Sequence, residues 1–310
     1  MSFERINKFE GFMKSKIALT VIFILAFNFC SSGLEEKGSR EYIEATNEWH
    51  LNRIERLKQE NGWLNLAGLY WLENGNNSFG ADLKNDLVFP KGFETEAGTF
   101  KLDDSVVTVI LNEESRVLIN DSKIVSLQLK SDVEDSTTIM SYNNFKWFLI
   151  KRGDKFGIRL RDLNAELVNN FPGIERFPVN EDWKIKAKFI EYNPPKQINI
   201  PTIIGTVDVE DSPGFIEFEV QNTKYKMDAI KSGDGLFFVF ADLTSGEETY
   251  GAGRFLYSAG PNENNEVIVD FNKSYNPPCA FTKYATCPLP PEQNRLKIRI
   301  TAGEMNFGSH

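Results

Sequence analysis

Histidine is scarce in this sequence: 310 residues include only His50 and His310. Catalytic triads and cysteine–histidine sites use histidine as the base, so either would depend on His50, since His310 is the last residue. His50 lies in a segment with helical periodicity, where a packing or surface role is the more frequent one. The count excludes histidine-rich metal sites, and no H-E-x-x-H motif occurs. We therefore expect no metal and no cofactor.

Carboxylates alone can bind calcium, and Asp132, Glu134 and Asp135 lie close together in the sequence. A charged turn between two strands is the better interpretation of these residues, because the EF-hand pattern is missing.

Basic residues are outnumbered by acidic ones. The chain has 35 lysines and arginines against 44 aspartates and glutamates, a formal net charge of -9. An acidic surface repels phosphate backbones, and no basic stripe with interleaved aromatic residues is visible. We therefore expect no nucleic-acid partner.

Cysteine is also rare, with Cys30, Cys279 and Cys287 as the three copies. The C-x2-C spacing of a zinc site is absent. An oxidising compartment would permit a disulfide between Cys279 and Cys287, in a segment that Pro277-Pro278 and Pro290-Pro291 make stiff. We favour this disulfide; the alternative is two buried free thiols.

Long apolar runs are limited to Ile17–Phe27, which follows Lys14 and Lys16. A positive flank before a short apolar run is typical of an export signal, and a relaxed membrane span needs about 20 apolar residues. Cys30 stands where a bacterial lipoprotein is cleaved and lipidated, although Phe29 replaces the usual small residue. We predict a lipoprotein-type signal over residues 1–30 and a tether over residues 31–39.

This prediction places the protein in the cell envelope, attached to the membrane through a lipid on Cys30 and facing the periplasm or the exterior. The alternative is a soluble secreted protein cleaved after Ser32.

The hydrophobic pattern changes once along the mature chain. Residues 40–60 have apolar side chains at three- and four-residue steps, which predicts a helix that ends at Asn61-Gly62. From Trp63 onward the period is two, with many short runs separated by turn signals. Alternating long helices are absent, which argues against a doubly wound fold. We predict one mostly-β domain over residues 40–310, a sandwich or barrel-like fold of short antiparallel strands with one N-terminal helix.

Polar residues on proline-stiffened loops concentrate between Asp242 and Glu304. Two arginines there can hold an anion, and two carboxylates can supply acid–base chemistry if one is desolvated. The alternative is that these side chains tie down the loops. The residues of this candidate ligand pocket are Tyr250, Arg254, Asp270, Asn276, Arg295 and Glu304.

The same region resembles a known family. The motifs are Thr249–Phe255, Asp270–Thr282, Tyr284–Pro291, Asn294–Leu296 and Ala302–Glu304, with further matches at Gly62–Leu64, Gly68–Leu72, Arg161-Asp162 and Phe171–Gly173. Together they resemble the family called domain of unknown function 1684. The resemblance runs from about Tyr42 to Glu304 and implies a single domain. It implies no activity, substrate or cofactor; members occur as exported or lipid-anchored bacterial proteins, which agrees with Cys30.

Three functional hypotheses remain open. The first is binding of a small polar ligand or a glycan fragment through the 242–304 region. The second is a carboxylate-dependent hydrolase or isomerase, with Asp270 or Glu304 as acid or base and Arg254 as anion clamp. The third is a structural or partner-binding component of the envelope.

Overall fold

The structure, a computed structural model, describes residues 34–308 of the chain. The predicted signal over residues 1–30 and the lipidation site Cys30 lie outside the described residues. Lys37, in the predicted tether, donates its backbone N–H to Val179 and accepts one from Glu181, each at 2.8 Å. In the described part of the chain, no helix is both long and apolar enough to cross a membrane.

Helix α1 spans Arg40–Lys58, which confirms the predicted N-terminal helix. Ser39 caps it by accepting the backbone N–H of Tyr42 at 3.3 Å, and Glu41 in the first turn complements the positive end of the helix dipole. The buried residues recur at three- and four-residue steps, so one face of the helix packs on the sheets. These residues are Tyr42, Thr46, His50, Arg53 and Leu57.

The first half of the chain forms two five-stranded sheets, ordered β1-β10-β9-β8-β6 and β3-β2-β4-β5-β7. All pairings are antiparallel except that of β2 with β3. Phe79 and Phe93 each pack edge to face with Trp147 in the core shared by these strands. The strands are β1 (Leu66–Trp71), β2 (Gly75–Gly80), β3 (Leu87–Val88), β4 (Gly98–Asp103), β5 (Val106–Leu111), β6 (Leu118–Ile119), β7 (Ser126–Gln128), β8 (Ile139–Tyr142), β9 (Phe145–Arg152) and β10 (Lys155–Asp162).

The second half begins with the short helix α2 (Glu166–Asn169) and forms sheets of four and three strands, ordered β13-β12-β11-β17 and β14-β15-β16. Phe271 lies at the centre of a second core, against Phe218 and Phe240. The strands are β11 (Lys184–Pro201), β12 (Val207–Val220), β13 (Thr223–Asp228), β14 (Ile230–Ser232), β15 (Gly235–Phe240), β16 (Arg254–Ala259) and β17 (Glu266–Asp270). Single 3-10 turns occupy Glu181–Trp183, Phe271–Lys273, Pro278–Ala280 and Glu292–Asn294.

The long hairpin of β11 and β12 connects the two halves. Its base pairs with β17, whereas its tip, at residues 201–203, bonds through the backbone to residues 287–289. Ile198 and Ile200 are buried in an apolar cluster that contains Leu66 of β1 and Phe255 of β16. The predicted mostly-β architecture of antiparallel sheets is confirmed, and it includes a sheet curled into a half-barrel. The apolar cluster that contains Ile198 and Ile200 positions the candidate ligand-binding site.

Candidate ligand-binding site

Arg254, at the start of β16, is fully buried. Its Nη2 donates to Oδ2 of Asp242 at 2.7 Å and to the carbonyl of Ile300 at 3.1 Å, and its Nη1 donates to the carbonyl of Ala302. Burial lowers the pKa of Arg254, and Asp242 opposes that effect. Arg254 therefore fastens the C-terminal segment to the sheet, and its donors are directed at the protein itself.

Asp242 organises the polar loop that follows β15. Its Oδ1 accepts the backbone N–H of Thr244 at 2.7 Å and the Thr244 hydroxyl at 2.6 Å. Thr244 in turn shares a hydrogen bond of 2.9 Å with the hydroxyl of Thr249. These contacts are the Asx-type ties that polar loop residues commonly make.

Glu304 connects the C-terminal segment to helix α1. It is 1% exposed and accepts the backbone N–H of Asn276 at 2.7 Å, while its Oε1 lies 3.5 Å from Nε of Arg53. Arg53 also donates to the carbonyl of Asn276 at 3.0 Å and lies 4.5 Å from the centroid of the Tyr275 ring. Burial raises the pKa of Glu304, and Arg53 opposes the increase.

The remaining residues of the predicted pocket face different surroundings. Asp270 accepts the hydroxyl of Tyr42 at 2.7 Å and caps the turn that follows β17. Tyr250 packs on the apolar cluster around Leu57, and Arg295 is exposed. Of the six residues, the structure brings Asn276 and Glu304 into direct contact. We call Arg53, Asp242, Arg254, Asn276 and Glu304 the clasp, because they join distant segments through buried polar contacts.

A cavity of about 300 Å³ lies beside the clasp region, at the junction of the two halves of the fold. Its walls combine apolar side chains from the β11–β12 hairpin, β14, β15 and β16 with two arginines from β9 and β10. The lining residues are Trp63, Arg152, Arg159, Ile200, Asp208, Glu210, Ile230, Phe237, Phe255, Pro278, Ala285, Thr286, Cys287 and Pro288.

Arg159 is the buried charge of this cavity. It lies on β10, between β1 and β9, and is 3% exposed. Its Nη2 donates to Oγ1 of Thr286 at 3.2 Å, and its Nε has no hydrogen-bond partner. Among residues 34–308 no carboxylate lies within 4.0 Å of its nitrogens. Burial lowers its pKa to about 10, so it remains charged at neutral pH.

Thr286 is held between two arginines. Its Oγ1 also accepts from Nε of Arg152 at 3.1 Å, while the other two nitrogens of Arg152 bind Asp132 at 2.7 and 3.1 Å. Because Oγ1 accepts from both arginines, the hydroxyl hydrogen of Thr286 is free to donate elsewhere.

The position of Thr286 is set by the neighbouring Cys287. Cys279 and Cys287 are joined by a disulfide, and the backbone N–H of Cys279 lies 3.1 Å from Sγ of Cys287. Cys287 is itself a wall residue. The disulfide therefore shapes the loop that brings Thr286 to the arginines.

Trp63 separates Arg159 from a second buried arginine. The guanidinium carbons of Arg159 and Arg161 each lie 5.9 Å from the Trp63 ring centroid. Nη1 of Arg161 donates to Oδ1 of Asn65 at 2.7 Å and to the carbonyl of Gly62, and burial lowers the pKa of Arg161 to about 10. Two buried cations beside one indole give this wall a positive potential.

Asp208 and Glu210 line the same cavity from the hairpin. They are two residues apart on β12 and so share one face of the strand. Asp208 is half-buried and Glu210 is exposed. Desolvation raises the pKa of Glu210, and the nearby Asp208 and Asp211 add to the increase.

The arginine side of this cavity lies outside the region predicted from the sequence. Phe255, Pro278 and the segment 285–288 of the 242–304 region line the cavity, whereas Arg152 and Arg159 come from the first half of the chain. A signal was present on β10, where Arg159 and Arg161 alternate with Ile158 and Leu160. Alternation of this kind puts two arginines on one face of a strand whose other face is core.

The fold and the cavity define a mostly-β protein with a small, partly charged cavity at the junction of its two halves. No curated protein matches the sequence. Residues 169–305 match the family described as protein of unknown function DUF1684, which confirms the resemblance over that range. The match includes the hairpin and the disulfide loop.

The chain is also similar to the solution NMR structure of an uncharacterized protein of Haloarcula marismortui. The two are 26% identical over 44% of this chain and 78% of the other, with a TM-score of 0.38.

Proposed function

We propose that this protein binds a small molecule with an anionic group, such as a carboxylate or a phosphate, in the cavity beside Arg159. The supporting observation is that Arg159 is 3% exposed while its Nε has no acceptor. A buried cation is costly unless it is paired, and guanidinium groups match carboxylates and phosphates in geometry. A ligand anion in the cavity would pair with the charge of this guanidinium.

Thr286 strengthens this anion site. Its hydroxyl accepts from Arg152 and Arg159, so its hydrogen points away from both and can donate to the same anion. The anion would thus meet one guanidinium and one hydroxyl donor.

The rest of the cavity suits an apolar or aromatic ligand body. Ile200, Ile230, Phe237 and Phe255 are among the apolar residues that line it. A glycan fragment fits this surface less well, because aliphatic and aromatic walls offer few partners to sugar hydroxyls. The volume of about 300 Å³ is at the lower end of the range for small-molecule sites, about 300–1,000 Å³, and limits the ligand to a small molecule.

The location is part of the proposal. Export through the apolar run after Lys16 and lipidation of Cys30 would place the cavity outside the cytoplasm. The disulfide supports this location, because disulfides persist in oxidising compartments. The protein would then bind its ligand at the cell envelope.

The carboxylate-dependent hydrolase or isomerase has less support. Its acid–base candidates, Asp270 and Glu304, accept hydrogen bonds from Tyr42 and from the backbone of Asn276, and its anion clamp Arg254 is paired with Asp242. These groups serve neighbouring segments of the protein, so none is free for a substrate.

The test is calorimetric titration of the purified full-length protein with benzoate, phenyl phosphate and hexanoate, and with neutral benzamide and hexanamide. We expect at least one anion to bind and its neutral counterpart to bind at least tenfold more weakly. Arg159→Gln should lose the anion, while Arg40→Gln is the matched control, because the Arg40 side chain is 91% exposed. Equal anion binding by Arg159→Gln, or no binding of any anion, would refute the proposal.

A further inference from the structure

Opposite charges line the cavity without meeting. Arg152 and Arg159 lie on one side, and Asp208 and Glu210 on the hairpin side. Among the described residues, no ion pair within 4.0 Å joins the two groups, and neither acidic side chain forms any salt bridge. The space between them is bordered by Phe237 and Phe255, whose rings make an edge-to-face contact with centroids 5.1 Å apart.

Strand pairing fixes the backbone positions of these charged residues. Asp208 is fixed by the pairing of β12 with β11, and Arg159 by strands on both sides. Opposite charges that line one cavity attract one another. Here a buried cation, the half-buried Asp208 and the exposed Glu210 remain unpaired with one another along one cavity.

We infer that the ligand is zwitterionic, with its anion at Arg159 and Thr286 and an ammonium group at Asp208 and Glu210. Its apolar body lies against Phe237 and Phe255. This inference rests on the proposed function and adds the cationic group of the ligand. The two charges belong at opposite ends of the molecule, and a short apolar peptide with free termini is the simplest compound of this class.

The raised pKa of Glu210 agrees with this arrangement. Asp208 and Asp211 raise it together with burial, because neighbouring carboxylates repel one another when ionised. An ammonium group placed between Asp208 and Glu210 would relieve that repulsion. Relief of this repulsion would contribute to the affinity for the ligand.

The experiment compares four forms of L-alanyl-L-phenylalanine on the full-length protein by calorimetry: the free dipeptide, the N-acetyl form, the C-terminal amide and the doubly blocked form. N-acetylation removes only the cation, and amidation removes only the anion. We expect the free dipeptide to bind about tenfold or more tightly than the N-acetyl form, the ratio that one modest ion pair gives. The amide and the doubly blocked form should bind most weakly.

The hairpin carboxylates are tested with D208N/E210Q. This variant should lose about tenfold in affinity for the free dipeptide and keep its affinity for the N-acetyl form. The matched control is D211N, which removes a charge from the same strand on its opposite face. D211N should retain the preference for the free dipeptide.

The outcomes separate the two ideas. If the N-acetyl form binds as tightly as the free dipeptide, and D208N/E210Q changes neither, the zwitterion inference is wrong while anion binding stands. If none of the four forms binds and the simple anions also fail, the proposed function itself is wrong. Equal losses with D211N and D208N/E210Q would indicate a general charge effect and would also refute the inference.

Discussion

Arg254 and Asp242 form a salt bridge of 2.7 Å in which neither side chain reaches solvent. The pair links the start of β16 to the loop after β15, and Arg254 extends the link to the carbonyls of Ile300 and Ala302. Removing one member of a buried pair leaves the other charge uncompensated. We expect Asp242→Asn to lower the free energy of unfolding by about 3–5 kcal/mol, measured by urea denaturation.

The control for Asp242→Asn is Glu44→Gln. Glu44 pairs with Arg40 at the same distance of 2.7 Å, but the two side chains are 61% and 91% exposed. An exposed pair within a helix contributes about 0–1 kcal/mol, so Glu44→Gln should have little effect. If the two variants lose equal stability, the buried pair is not the anchor that its geometry indicates.

The disulfide between Cys279 and Cys287 has two expected effects. It closes a loop with a sequence separation of 8. The loop-entropy relation gives a loss of about 2–3 kcal/mol for the double variant C279S/C287S under oxidising conditions. Anion binding should also weaken, because Thr286 precedes Cys287 and depends on the loop for its contacts with both arginines.

Replacing both cysteines avoids leaving one reactive thiol of the pair. The matched treatment is a reducing agent applied to the wild-type protein, which should reproduce the lower thermal midpoint. A variant with an unchanged midpoint and unchanged anion affinity would show that the disulfide neither stabilises the loop nor shapes the cavity.

Much of the fold could be predicted from the sequence because its signals are local. The three- and four-residue spacing of Tyr42, Thr46, Arg53 and Leu57 indicates a helix without reference to the rest of the fold. The two-residue alternation after Trp63 indicates strands in the same way. The mostly-β class and the N-terminal helix follow from these periods.

The site was harder to predict because it is assembled from distant segments. Arg159 and Thr286 are 127 positions apart and meet only in the folded chain. Arg53 and Glu304 belong to opposite ends of the described chain, so no local pattern connects them. Polar composition directed attention to the 242–304 region, but composition alone does not separate buried ties from groups that face a cavity.

His50 should make stability depend on pH. It is buried on α1, and its Nε2 lies 3.1 Å from the carbonyl of Ile174. Burial lowers the pKa of His50 below its ordinary 6.5, and Arg176 and Arg53 add to the decrease. As the pH falls below 6.5, the unfolded chain therefore takes up a proton before the folded protein does, and stability falls. Well above pH 6.5 the residue is neutral in both states and contributes no pH dependence.

The test compares wild type with His50→Gln, which keeps an N–H donor for Ile174. Urea denaturation at pH 8 and pH 5.5 should show a larger loss of stability on acidification for the wild type. Carboxylates titrate alike in both proteins, so the difference isolates His50. Equal losses in the two proteins would contradict the assigned pKa shift.

Arg159 should be dispensable for stability although ligand binding requires it. Its guanidinium is buried, has one hydroxyl partner, and lies 5.9 Å from the Trp63 ring, a cation–π contact that contributes about 1 kcal/mol. Methionine has a similar length and carries no charge, so Arg159→Met removes the desolvation cost of the cation. We expect a free energy of unfolding that is unchanged or higher by about 1–2 kcal/mol, together with loss of anion binding.

This result would distinguish Arg159 from Arg254, two of the buried arginines of the fold. Arg254 has a carboxylate partner, so disrupting its pair should destabilise the protein, whereas Arg159 has no such partner within the described chain. Urea denaturation of Arg159→Met and Asp242→Asn under identical conditions makes the comparison direct. If Arg159→Met loses several kcal/mol, as Asp242→Asn should, then Arg159 belongs with the structural ties. If Arg159→Met loses no stability and no longer binds the anion, then the role of Arg159 is ligand binding.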